Sequence, residues 1–429
     1  MNKKFLVLRV LLLVFTVVLP VNADDKISLS LMHYHTEESR DADALAFREM
    51  LEKFSEENPD IEVNVELLDI DSYFMKLQTL AAANELPDIF LLKSSLVDTF
   101  ARGGLIEPLN AELNQDGWKD GFVDGAFADF LKGENIYAIP YAMGATSLIY
   151  YNKEIFDEAG IADFPENWTE FKTVIRKLKE AGYIPIALGN KGKWVVNSCI
   201  IGTLADRFTG TDWFYSILNN EGASFTDQKF VDALAALQEL AEIAAFNPDM
   251  NSIDANQQKS LYYNRDAAMF IEGHWAINSI MEQASEDIVE ATRISIIPAV
   301  PGGKGVQKAT SAGSGMGYQL NPALQGAKRE AALKFIKTVT GEEYSNLLIE
   351  KNGTPVFKTG NYDKSKIARL KVDYINLTEE ITFTPVYDLH LAPSIIEVMN
   401  SGMQELLLRI TTAEELAERI QHEYEILNR

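Results

Sequence analysis

Cysteine is almost missing from this chain of 429 residues: Cys199 is the only one, so no disulfide can form within it. Thiolate chemistry needs a base beside the sulfur. Asn197, Ser198, Ile200 and Ile201 supply none, so Cys199 is expected to be a small buried hydrophobe. Basic residues are also scarce, 39 against 63 acidic ones, for a net charge of −24. Binding to phosphate backbones or anionic lipid depends on clustered Lys and Arg. Nucleic acid and membrane surfaces are therefore poor partners, and the acidity reads as solubility. Of the five histidines, His274, His390 and His422 fall at no ligand spacing. A metal would be left with His33 and His35 alone, too few donors for a site, so neither a metal nor another cofactor is expected. The glycine-rich stretch Ser311-Ala312-Gly313-Ser314-Gly315 lacks the order of a nucleotide-phosphate loop. There is no internal repeat or low-complexity tract.

Long apolar runs are limited to one. Lys3 and Lys4 precede Phe5 to Leu19, followed by Pro20 and the small residues Asn22-Ala23. The run includes Arg9 and falls short of the ~20 apolar residues that a membrane span needs. Basic start, short apolar middle and small-residue end make residues 1–23 a secretory signal peptide cleaved after Ala23. Its removal takes 39 basic residues to 36 and the net charge from −24 to −27. No cysteine follows the run to carry a lipid anchor, so a soluble periplasmic protein is expected.

The remaining chain is long enough for two lobes. Lys26 to Met32 alternates as a strand. Leu45, Phe47, Met50, Leu51 and Phe54 share a helical face that stops at Asn58-Pro59, and Ile61 to Leu67 alternates again. Tyr73 to Ala83 is helical and Asp88 to Leu92 is a short apolar strand. Strand and helix in this alternation predict an α/β lobe with a mostly parallel sheet. Pro140 argues against one central strand across 134–151, and Ala138 to Ala142 reads as a crossing to a second lobe. That lobe continues with a helix over 168–181, a buried strand over 184–188, helix over 203–245, and a strand at Ile294 to Ile297 that marks a second crossing.

One stretch, Met269-Phe270-Ile271-Glu272-Gly273-His274-Trp275, places the largest side chain beside a glycine at a strand-to-helix corner. A buried Trp usually lies inside an element. At a corner it either plugs the core or shows a face to a cleft.

Tyr150-Tyr151-Asn152-Lys153-Glu154-Ile155-Phe156-Asp157-Glu158-Ala159-Gly160-Ile161, with Trp168-Thr169-Glu170-Phe171 after it, resembles the extracellular solute-binding proteins of bacterial carbohydrate ABC importers, the maltose-binding-protein-like family. Leu86-Pro87-Asp88-Ile89, Gly104 to Leu109, Ala267-Ala268-Met269 with Gly273-His274-Trp275, and Asn352-Gly353-Thr354-Pro355 match it in order. The resemblance implies a two-lobed type II fold with crossing hinge strands. Residues 24–139 plus 297–343 would form the N-terminal lobe, and 140–296 plus 344–429 the C-terminal lobe. It also implies a monomer that closes on a sugar, expected to be an oligosaccharide, and hands it to membrane permease subunits without catalysis.

A sugar has apolar C–H faces and a ring of hydroxyls, so its site needs aromatic platforms and a few polar groups. The resemblance makes Trp275 a platform and Gly273 the residue that lets backbone approach the ligand. Trp194, in the glycine-rich loop after the strand 184–188, is the second platform candidate. Lys193 is a partner for an acidic sugar, its alternative being a solvated surface lysine. His33, His35 and Glu37 end the first strand, and Lys93 and Ser94 end the third. Tyr141 and Gly144 lie at the first crossing, Gly313 on the return segment, and Tyr387 and Asp388 before the last helices. The competing readings are a secreted glycoside hydrolase with two carboxylates, or the same fold holding a polyamine, glycerol phosphate or ferric ion.

Overall fold

The computed structural model describes residues 26–428, so the expected signal peptide lies outside the described residues. Two sheets build the two lobes, the first packed on one core and the second with a core on each face. In the first lobe Ile27–His33 pairs in parallel with Ile61–Leu67 and with Ile89–Lys93, and Met316–Leu320 and Ile139–Pro140 extend the sheet antiparallel. In the second, Ala267–Glu272 pairs in parallel with Ile184–Ala187 and antiparallel with Leu148–Asn152, which also pairs with Thr292–Ser295. The antiparallel members are strands that leave or enter a crossing, which reverses the chain. Pro140 and Pro185 both sit in edge strands, where a missing N–H interrupts no ladder.

A third, small sheet makes the hinge. Ala309–Gly313 lies between Gly144–Ala145 and Thr382–Thr384, and the Met143 N–H donates to the Thr354 carbonyl at 3.0 Å. The crossings fall later than expected. Ile297 and Val300 still pack in the second core, and Tyr344, Leu348 and Val356 pack in the first. Helix Glu342–Glu350 buries Tyr344 and Leu348, and this apolar face belongs to the first lobe. The chain therefore returns to that lobe after the hinge strand 309–313 and leaves it only after Val356. The helical stretch 203–245 is three helices, Gly202–Thr209, Thr211–Leu218 and Gln228–Glu242, the first break set by Gly210 at φ +84°. Cys199 is fully buried, and burial pushes its thiol well above the usual range. No described helix is long and apolar enough to cross a membrane.

Candidate functional site

Strand Ala267–Glu272 is buried at all six positions and ends at Gly273. The His274 N–H donates to the Ala145 carbonyl at 2.8 Å, fixing the corner to the hinge. Helix Ala276–Gln283 starts directly after Trp275. A Cβ on Gly273 would stand 2.1 Å from the Trp275 ring. Only glycine lets this indole lie across the strand end, which explains the pairing seen in the sequence. Trp275 is half-buried, and its Nε1–H donates to Glu272 Oε1 at 2.9 Å. The neighbouring parallel strand 184–187 runs into the loop that carries Trp194, also half-buried, with its ring centroid 6.3 Å from that of Trp275 at 50°. Both rings thus stand at the carboxyl ends of adjacent parallel strands, where open α/β sheets take ligands. The first lobe reaches this surface on two sides. The Asp71 carboxylate lies against Gly192, and Asn278 Nδ2 donates to the Arg40 carbonyl at 2.7 Å.

The opposing strand ends carry hydrogen-bonding groups. The His33 ring stacks on Phe47 at 4.2 Å. His33 Nδ1 accepts from the His35 N–H at 3.2 Å, so its proton sits on Nε2, which faces Tyr318 Oη at 3.2 Å. His35 Nε2 stands 3.0 Å from Asp43 Oδ2, and Tyr141 Oη donates to that oxygen at 3.4 Å while pairing with the Tyr34 hydroxyl. Burial alone would raise the Asp43 carboxyl, but His35, 3.0 Å away, holds it down at about 2. Burial lowers His274 to about 3 and His33 well below its usual value, so both are neutral at pH 7. Among the described residues no group of three or more His, Cys, Asp or Glu is placed to hold a metal ion.

The other candidates separate by neighbourhood. Lys93 pairs with Asp388 at 2.6 Å, Ser198 Oγ donates to the same carboxylate at 2.6 Å, and Ser94 Oγ donates to the Leu389 carbonyl at 2.7 Å. The Lys93 and Ser94 contacts join the lobes. Gly144, at φ +156°, leaves room for the His274 ring, and a Cβ on Gly313 would meet the Asp129 carboxylate at 2.7 Å. Tyr387 is not at the cleft. It is fully buried and stacks on Phe214 at 3.8 Å and 3°, part of the second core. Lys193 pairs with Glu397 of its own lobe at 2.7 Å in this arrangement. Glu37 is exposed, and Arg40 Nη1 donates to its backbone carbonyl at 3.1 Å. Sequence reasoning passed over Asp41, Lys259 and Glu272, which meet beside Trp275. The available signal was Glu272 itself, a charge inside an otherwise apolar, wholly buried strand, which must have a partner.

A family model for bacterial extracellular solute-binding proteins matches residues 39–345. A putative binding protein of Brucella abortus is 25% identical over 371 residues, 84% of each chain. The mannitol-binding protein of Pseudomonas aeruginosa is 23% identical over 341 residues, 76% of this chain and 74% of its own. A structure from work on xylan utilization by Caldanaerobius polysaccharolyticus superposes with a TM-score of 0.82 at 25% identity, covering 92% of this chain and 100% of that one. A chitin oligosaccharide binding protein gives a TM-score of 0.85 at 24% identity, over 94% and 98%.

Proposed function

This chain belongs to the bacterial extracellular solute-binding proteins, and from that premise we propose that its solute is a saccharide, held between the lobes and delivered to the permease subunits of an ABC importer. The observation that carries this reading is the Trp194–Trp275 pair, two half-buried indoles with centroids 6.3 Å apart at the carboxyl ends of adjacent strands. Such a surface matches the C–H faces of a sugar ring. Across it, Asp43 and the hydroxyls of Tyr34 and Tyr141 supply acceptors and donors for sugar hydroxyls. The name of the chitin oligosaccharide binding protein supports the same ligand class, and that of the mannitol-binding relative supports a polyhydroxylated ligand. In this reading the protein works as a periplasmic monomer, after removal of residues 1–23, and performs no catalysis.

The test is a thermal-shift screen of residues 24–429 against mannitol and chito-, xylo- and malto-oligosaccharides, with glucuronate, spermidine, glycerol phosphate and ferric ion beside them. A ligand at a hundred times its Kd stabilises the native state by about 2.7 kcal/mol. One saccharide series is expected to raise Tm. A rise with spermidine, glycerol phosphate or iron alone keeps the two-lobed fold and overturns the saccharide. Release of reducing ends from an oligosaccharide would make the chain a hydrolase.

A further inference from the structure

Asp41 stands at the N-cap of helix Ala42–Glu57, yet its side chain makes no capping bond to that helix. It crosses to the other lobe instead, where Ser279 Oγ donates to its carboxylate and Lys259 Nζ lies 3.6 Å from Oδ1. Lys259 is 3% exposed, and its ammonium is also 3.8 Å from Glu272 Oε1. One buried cation is thus shared almost evenly by two carboxylates, one from each lobe. Glu272, 2% exposed, spends its other oxygen on Gln258 Nε2 at 3.1 Å and gives Oε1 to the Trp275 indole. The indole and the ammonium therefore compete for the same oxygen. Were the lobes apart, Glu272 would be the only one of the two carboxylates left to Lys259, and the ammonium would draw Oε1 away from the ring. With the lobes together, Asp41 takes a share of the charge and leaves Oε1 to Trp275.

We propose that Glu272 is a positioning residue that aligns Trp275 and, through Lys259, makes that alignment depend on Asp41 of the opposite lobe, so that lobe closure and a finished sugar platform are one event. The proposal rests on the saccharide reading for its purpose, but its geometry can be tested without a sugar. Lys259 and Glu272 are out of water in this arrangement, which strengthens their attraction, while the Asp41 side chain stays 23% exposed.

The experiment is a double-mutant cycle on the mature chain labelled with 5-fluorotryptophan, the Trp275 resonance being assigned by its loss in Trp275→Phe. Asp41→Ala is expected to shift or broaden that resonance and to weaken binding of chitotriose, xylotriose or maltotriose about tenfold. In a Glu272→Gln background the side chain carries no charge for the ammonium and its single oxygen accepts from either the indole or Gln258, so the Trp275 resonance of Glu272→Gln alone is the reference. There, Asp41→Ala should leave the resonance in place and weaken binding threefold or less. Lys259→Met, which removes the shared cation, should abolish the sensitivity to Asp41 in the same way. Equal effects of Asp41→Ala in all three backgrounds, or a Trp275 resonance indifferent to Asp41, overturn the proposal. If none of the three sugars binds, the saccharide reading falls while the fluorine spectra still decide the coupling.

Discussion

The two faces of the cleft differ in kind. On the second lobe, two indoles lie at the ends of adjacent strands, one flattened over Gly273 and anchored by a single carboxylate. On the first lobe, His33, His35, Asp43, Tyr34 and Tyr141 form a continuous set of titratable, hydrogen-bonded groups. A sugar presents the same two kinds of surface, C–H faces and hydroxyls, so dividing them between lobes makes full contact depend on closure. A ligand favours the closed state only through contacts that the open state lacks.

The largest effect is expected where the faces meet at the hinge. Lys371, on helix Arg369–Glu379, donates to Thr354 Oγ1 at 2.6 Å and lies 4.7 Å from the Tyr374 ring centre, with His274 stacked on the far partner of that ring contact at 6.1 Å. Burial alone lowers its ammonium to about 7, with no carboxylate among the described residues holding it up. The folded chain then binds fewer protons than the unfolded one between about pH 7 and the ordinary lysine value. Stability rises with pH across that window, and the full penalty applies below it. Lys371→Met should stabilise the protein by about 3 kcal/mol at pH 6, with the gain gone near pH 11. Denaturant titrations at the two pH values measure it, and an equal effect at both would show that Lys371 acts through packing and not charge.

Trp275→Ala should weaken saccharide binding by about 1 to 3 kcal/mol, taking base-on-aromatic stacking as the nearest analogue. The loss is to be measured by calorimetry at pH 7. A mutant that keeps its affinity and loses stability returns Trp275 to the core and removes one side of the comparison.

Asp43→Asn tests the other side. The carboxylate held at about 2 contributes stability that is present above the ordinary Asp value and lost as pH falls towards 2. With its side chain 14% exposed, the variant should lose about 1.5 kcal/mol at pH 7 and almost nothing near pH 2. A loss that persists in acid would assign Asp43 to packing.

What could be read in the sequence follows the range of the interaction. The spacing of Phe47, Met50 and Phe54 gave helix Ala42–Glu57 because those residues are three and four apart on one face. The Gly273–Trp275 corner was legible as a question, since the clash that requires glycine lies two residues away. The glycine-rich loop placed Trp194 for the same reason. Tyr387 was misplaced because its partner Phe214 is remote in the chain. Asp41 and Lys259 are equally remote, and local periodicity carries no record of such pairs. The late crossing at Val356 was hidden because helix Glu342–Glu350 has an apolar face that fits either lobe until its neighbours are known.

The smallest effect is expected at Lys193, which sharpens the comparison by showing that a charge can sit beside the aromatic face without belonging to it. The residue adopts φ +66° in the loop just before Trp194, so sequence position alone makes it a neighbour of the platform. Its ammonium, however, is directed to Glu397 at 2.7 Å and Ser401 Oγ at 3.0 Å on helix Pro393–Leu407 of the same lobe. The pair is largely in solvent, with side chains 35% and 62% exposed, and exposed pairs contribute roughly 0.2 to 1 kcal/mol. Lys193→Met should therefore change stability by less than about 1 kcal/mol and leave the affinity for a neutral oligosaccharide unchanged, as measured by titration calorimetry in low and high salt. A loss confined to uronate ligands and removed by salt would mean that Lys193 leaves Glu397 when ligand enters, and would put a charge on the face described here as aromatic.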